Sequence, residues 1–276
     1  MGLWGRLRSF HRRRIAIPVG PEALVVDIGS GDKPHWRADV LVDHYPDSDH
    51  AAQRSGGSRA RIDRVFFDAD AARLPFDTDI FDFAICSHML EHVPDPAAVL
   101  DEISRVARAG YIEVPEAASA KIVDFPSHLW WCRLEDDVLV FQAKTTPWFD
   151  GEIHDYLVAS GLERRLGRLL DADLDHRVIS LHWEGSIPYR VEGVLDPALV
   201  ERAHQVDADQ RRVQGVVSRL VTAAWSAPYR WRHRPRRRRE LRLDDLLAEP
   251  WRRGDDEALE PGIYRVRADQ VMRDPK

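Results

Sequence analysis

The chain is short of cysteine, of lysine and of long apolar runs, and each shortage excludes something. Two cysteines in 276 residues, Cys86 and Cys132, support neither a disulfide framework nor a cysteine-rich zinc site, and they point to a reducing, cytoplasmic setting. No apolar stretch approaches the roughly 18 residues that a membrane span needs. The run Ile15-Ala16-Ile17-Pro18 after the basic N-terminus is too short for a signal-peptide core. Lysine is confined to Lys33, Lys121, Lys144 and Lys276, so nearly all positive charge is arginine. It gathers between Arg6 and Arg14 and between Arg230 and Arg242, while the middle is acidic and the net charge is −6. With 44% hydrophobic and 31% charged residues the composition is that of an ordinary globular protein, long enough for one α/β domain plus an appendage.

What is present centres on residues 24–43, LVVDIGSGDKPHWRADVLVD. Leu24, Val25, Val26 and Ile28 form a β-branched apolar run, the pattern of a strand covered on both faces. Gly29-Ser30-Gly31 breaks it, and without Cβ atoms the glycines let the backbone turn sharply and approach a ligand. A second strand, Val40-Leu41-Val42, ends on Asp43, an acid placed to accept hydrogen bonds from the hydroxyls of a ribose. The ligand carries no pyrophosphate. The third glycine of a dinucleotide fingerprint is replaced by Pro34, which has no N–H to offer, and the phosphate-binding lysine pattern is missing.

Asp27, Gly29 and Gly31 make this stretch resemble the first motif of class I S-adenosylmethionine-dependent methyltransferases, D-x-G-x-G-x-G, with Lys33 at the usual third glycine. Further resemblances follow in order. Asp68-Ala69-Asp70-Ala71-Ala72-Arg73-Leu74-Pro75-Phe76 is similar to the family's D-A-x-x-L-P-F segment, which implies that Asp70 and the Ala71 amide meet the adenine, with Asp68 as the alternative one pleat earlier. Phe81-Asp82 and the strand to Cys86 lead into Ser87-His88-Met89-Leu90-Glu91-His92-Val93, similar to the family's fourth-strand motif. Ligands of open α/β sheets lie beyond the carboxyl ends of the strands, so Ser87, His88 and Glu91 are expected near the transferable methyl group. His88 or His92 is the candidate proton acceptor, although both also suit plain packing around the cofactor.

The resemblance implies an α/β fold with a Rossmann-like, seven-stranded, mostly parallel sheet and flanking helices. To it the sequence adds an inserted β-hairpin at 128–144 and a basic helical C-terminal extension. Residues 1–20 read as a basic amphipathic segment, suited to an anionic membrane surface, a lid or the domain's flank. Residues 21–195 read as the methyltransferase domain, 196–240 as an Arg-rich helical extension and 241–276 as a small accessory module or tail. The hairpin aromatics Trp130, Trp131 and Phe141 suit either core or a pocket wall, and Glu116, His182 and Tyr189 are candidate substrate contacts. Residues 177–192 are expected to supply the last two strands of the sheet. Leu243-Asp244-Asp245-Leu246-Leu247-Ala248-Glu249-Pro250-Trp251-Arg252-Arg253-Gly254-Asp255 resembles the opening of a small zinc-ribbon-like module found with RNA and protein methyltransferases. Its two cysteine positions are Glu249 and Arg252, so no metal is expected, and an ion pair between them is.

The function implied is methyl transfer from S-adenosylmethionine to a small-molecule, lipid or glycan acceptor, in the cytoplasm and conceivably at the inner membrane face. Cofactor-binding residues would be Asp27, Gly29, Ser30, Gly31, Asp43, Asp70, Ala71 and Ser87, and catalytic ones His88 and Glu91. Two other readings stay open: an inactive scaffold binding through its Arg-rich ends, and an RNA methyltransferase, whose RNA affinity would fall steeply with salt.

Overall fold

Apolar β-branched runs become strands here because neighbouring elements cover both of their faces. A computed structural model describes residues 3–46, 59–171, 174–204, 224, 227–228, 241–254, 257–268 and 270–274. The arginine run 230–240 and most of the helix expected between 198 and 233 lie outside the described residues. The parallel centre consists of β1 (Val25–Ile28), β2 (Val40–Asp43), β3 (Val65–Asp68), β4 (Phe83–Ser87) and β5 (Ala109–Pro115), in the order β3-β2-β1-β4-β5. Every residue of β1 and β3 is buried. Strand order reverses between β1 and β4, which opens a crevice at their carboxyl ends.

Helix α1 (Leu3–Arg14) precedes β1, and α2 (Pro96–Val106) connects β4 to β5. Asp95 caps α2 by accepting the Ala98 N–H, Pro96 opens it, and Val99, Leu100, Ile103 and Val106 form its buried face. Gly110 has a packing reason: a Cβ there would meet the Ala84 carbonyl oxygen at 2.5 Å and the Trp183 ring at 2.6 Å. After β5 come α3 (Ala117–Ile122), then β6 (Trp130–Glu135) and β7 (Val138–Ala143), the expected hairpin. Next are α4 (Gly151–Ala159), α5 (Leu162–Leu170) and α6 (Leu174–Arg177), followed by β8 (Val178–Glu184), β9 (Tyr189–Glu192) and α7 (Pro197–His204). The chain closes with α8 (Leu243–Leu246), β10 (Gly262–Arg267) and β11 (Gln270–Arg273).

Among the described residues the central sheet has eight strands where seven were expected, in the order β11-β10-β3-β2-β1-β4-β5-β8. The difference comes from the C-terminal stretch. Strand β10 pairs in parallel with β3 and covers an edge that would otherwise expose unpaired backbone groups, and Tyr264 stacks on Phe67 at 5.3 Å. At the other edge β8 runs antiparallel to β5, as expected, but β9 departs from the central sheet. It joins β6 and β7 in a separate three-stranded sheet because β7 offers an open edge and Gly185, at φ +74°, turns the chain away after β8. Residues 241–276 therefore contribute to the main core: Leu243, Leu246, Leu247, Tyr264 and Val271 are all buried within it. Arg252 pairs with Asp77 at 2.8 Å, not with Glu249. No helix among the described residues is long and apolar enough to cross a membrane.

Candidate active site

The crevice at the carboxyl ends of the strands opens into a cavity of about 1320 Å³. That exceeds the ~300–1,000 Å³ of an ordinary single-ligand pocket, which leaves room for two molecules side by side. Asp27, Gly29, Ser30, Gly31, Asp43, Asp70, Ala71, Ser87, His88 and Glu91 all line it, so the residues singled out from the sequence share one space.

The turn after β1 is built for close approach. Gly29 and Gly31 lie at φ +75° and +52°, and a Cβ on Gly29 would meet Met89 at 2.5 Å. Asp27 braces the loop from beneath by accepting the His35 N–H at 2.6 Å, and burial lifts its pKa to about 6. Asp43 accepts the Gly31 N–H at 2.9 Å and the Tyr45 N–H at 3.0 Å, which ties the tip of β2 to the glycine turn. Ser30 Oγ and Asp32 Oδ2 are buried against the cavity without hydrogen-bond partners. Of the two acids considered for the adenine, Asp70 lines the cavity. Asp68 is buried away from it, its Oδ2 held by Arg265 at 2.8 Å and Arg267 at 2.7 Å.

Beyond β4 the wall is a charged network around Glu113, a residue 1% exposed in the middle of β5. Arg13 of α1 binds both of its oxygens, at 2.6 and 2.5 Å, and Tyr111 donates to it at 2.6 Å. Ser87 adds a bond at 3.2 Å and His88 Nε2 stands 2.9 Å away. These partners overcome the cost of burial and hold the carboxyl well below its ordinary range. His88 sits at φ +56°, a strained conformation for a residue with a Cβ. Its Nδ1 lies 3.2 Å from Glu91 Oε1, so both ring nitrogens face carboxylates. Burial acts against the charged ring, but the two carboxylates prevail and raise its pKa to about 9. The ring also lines the cavity. With both nitrogens engaged, His88 has no lone pair for a substrate proton.

The network sets a pH dependence. His88 rises from 6.5 to about 9 on folding, so its contribution to stability is complete below pH 6.5 and is lost as pH climbs through 9. Glu113 falls below 4.5, so its contribution holds above that value and is lost on acidification. Chemical denaturation should therefore show wild-type stability declining between pH 6.5 and 9. Glu113→Gln should cost about 3–5 kcal/mol at pH 6, since it strands the buried Arg13 charge and leaves His88 with Glu91 alone. A variant as stable as wild type at pH 6 would remove the network from the account of the fold.

Helix α1 thus lids the site: Arg13 enters the network, and Arg12 and Ser9 bind Asp175 of α6. The cavity is also lined by the apolar residues Val123, Phe125, Pro126, Trp148 and Val158, with Trp148 stacked on His154 at 3.5 Å. Trp130, Trp131 and Phe141 are buried in packing away from the cavity, and Glu116 caps α3 through the Ser119 N–H. Tyr189 donates to Asp101 and His182 packs on Tyr111, both outside the cavity. Sequence reading missed Arg13, Asp32, Tyr111, Glu113 and His128. An acid within the apolar strand Tyr111-Ile112-Glu113-Val114 was the available signal for one of them.

Comparison with known proteins gives a partial family match. Residues 35–112 match the family model described as a methyltransferase domain. Over 110 residues the chain is 31% identical to the demethylmenaquinone methyltransferase of Paenarthrobacter aurescens (strain TC1), covering 40% of this chain and 44% of that protein. It thus spans less than half of that relative. Among solved structures, an S-adenosylmethionine-dependent methyltransferase from Mesorhizobium loti is 15% identical at a TM-score of 0.31, with 51% of this chain and 64% of that one covered. One from Thermotoga maritima is 22% identical at 0.28, with 41% and 51% covered.

Proposed function

We propose that the protein transfers a methyl group from S-adenosylmethionine to an apolar acceptor of small-molecule or lipid type. The observation that carries this is that one cavity is lined both by the glycine turn and Asp43 and by Phe125, Trp148 and Val158, with His88 also in its wall. When bound, S-adenosylmethionine supplies a methyl carbon made electrophilic by its sulfonium sulfur. Residues of the cavity fit it. Asp43 would offer carboxylate lone pairs to the ribose, Asp70 and the Ala71 backbone would flank the adenine, and Gly29 and Gly31, at positive φ, would admit the amino-acid chain. The orphaned Ser30 Oγ and Asp32 Oδ2 gain partners for which the buried turn otherwise provides none. Ser87 would border the methyl group. Methyl transfer asks chiefly for in-line positioning at about 3–3.5 Å, so His88 serves as a charged strut held between Glu91 and Glu113.

Helix α4 supports the lipid-type acceptor. Its His154 and Val158 line the cavity, while Ile153 and Tyr156, with Phe149 just before it, stand exposed at the surface. Such an apolar rim suits a hydrophobic molecule arriving from a membrane or carrier. Demethylmenaquinone, the acceptor in the relative's name, is an apolar quinone of this kind. The test is methyl transfer from labelled S-adenosylmethionine to cell-extract fractions separated into lipid, glycan, RNA and protein. Label in the lipid fraction is expected. Label in the RNA fraction alone overturns the acceptor class, and label in no fraction together with no cofactor binding overturns the enzyme.

A further inference from the structure

On the acceptor side of His88, two buried polar atoms have no use in the arrangement described so far. Glu91 is fully buried and its Oε2 has no hydrogen-bond partner, and Nδ1 of His128, a residue 7% exposed, has none either. Leaving such groups unsatisfied costs ~1–3 kcal/mol apiece, more for a charge. His92 stands beside them, its ring 4.8 Å from that of His128. One ligand atom from each of Glu91, His92 and His128 lies within 4.8 Å of the other two, and all three residues line the cavity.

We infer that Glu91, His92 and His128 form a binding site for a divalent first-row transition ion, with Zn²⁺ the best match to two imidazoles and one carboxylate. The surroundings orient each donor. His92 Nδ1 lies 2.9 Å from the Ser127 carbonyl oxygen, so Nδ1 carries the proton and Nε2 presents its lone pair. His88 faces Glu91 Oε1, which leaves Oε2 for the ion. The segment bearing His128 is fastened to the turn bearing Glu91 and His92. The Leu129 N–H donates to the Glu91 carbonyl at 2.7 Å, and the Trp130 indole donates to the Val93 carbonyl at 2.8 Å. Behind it, buried Lys144 donates its backbone N–H to Leu129 and its ammonium to Asp124 and Pro147. Bonds of ~2.0–2.1 Å place tetrahedral donors roughly 3.4 Å apart, so the three side chains close in by about 1 Å on binding.

Three protein ligands leave a coordination position open toward the cavity, as in catalytic rather than structural zinc sites. Resting on the methyltransferase reading, that position takes an acceptor hydroxyl and lowers its pKa. The proton leaves to solvent, the oxygen pair bonds to the methyl carbon, and the C–S pair returns to sulfur as the thioether departs. An ion here provides the activation for which His88 has no free lone pair.

The experiment uses the full chain with any affinity tag removed, stripped with chelator and reloaded with Zn²⁺ or Co²⁺. One equivalent of Zn²⁺ should survive gel filtration, and Co²⁺ should give visible d–d absorption. A competing chromogenic chelator should show a loss of about 100-fold or more in affinity for His92→Ala and His128→Ala, and no competition from Mg²⁺. Asp43→Ala, which lacks the ribose contact, should still bind one equivalent, so failure of the metal site and failure of the methyltransferase reading are separable. Retention of less than about 0.1 equivalent by wild type, or wild-type affinity in His128→Ala, overturns the site. Should the histidine variants fail to fold, the Co²⁺ spectrum of the wild-type protein decides alone, and its absence overturns the site as well.

Discussion

Deletion of residues 241–276 is expected to abolish cooperative folding. The segment sends Leu243, Leu246, Leu247, Tyr264 and Val271 into the core, each 1% exposed or less. At ~1.5–3 kcal/mol per buried apolar side chain, their removal costs roughly 7–15 kcal/mol, as much as the whole stability of a typical domain. It also strips β3 of its partner strand and leaves Asp68, itself 1% exposed, without Arg265 and Arg267. The Leu246 carbonyl and the Ala248 N–H pair with the backbone of Asp77 and Pro75, so the Asp70–Phe76 loop beside the cavity loses its support too. Circular dichroism with thermal unfolding measures this. A truncated chain melting within a few degrees of wild type would show that the segment is an ornament. Tyr264→Ala samples the same surface more gently, and about 3–5 kcal/mol is expected from the lost ring.

Asp43→Ala is expected to weaken S-adenosylmethionine binding by about 100- to 10,000-fold, since hydrogen bonds to a charged group contribute ~1.5–3 kcal/mol each and a ribose makes two. The substitution also frees the Gly31 and Tyr45 amides, which loosens the turn that faces the ligand. Asp43→Asn keeps one acceptor oxygen in place and should fall between the two. Titration calorimetry on variants shown to melt normally reads the effect. Affinity within tenfold of wild type for the alanine variant would take the ribose role away from Asp43 and with it the orientation of the cofactor.

Legibility followed distance along the chain. The glycine turn, the acid at the tip of β2 and the capped start of α2 were readable because each depends on a few consecutive residues. Glu113 was readable only as an anomaly, an acid inside an apolar strand. Its partner Arg13 lies 100 residues earlier, and nothing local joins them. The choice between Asp68 and Asp70 was undecidable from spacing. Arg265, 197 residues away, occupies Asp68 and leaves Asp70 to the cavity. His88 changed character for the same reason. From its place after β4 it read as a candidate proton acceptor or as packing around a cofactor, but the carboxylates of Glu91 and, from β5, Glu113 raise its pKa and engage both ring nitrogens.

By itself, then, the amino-acid order determined the class of fold, the glycine turn at the mouth of the cavity and several of the side chains that line it, because periodicity, glycine placement and capping act over one or two turns of chain. Tertiary structure alone decided the eighth strand, the destination of β9, the buried Glu113 network and the meeting of Glu91, His92 and His128. Those depend on which edges pair and which charges are desolvated together, and both are set by contacts between segments far apart in the chain.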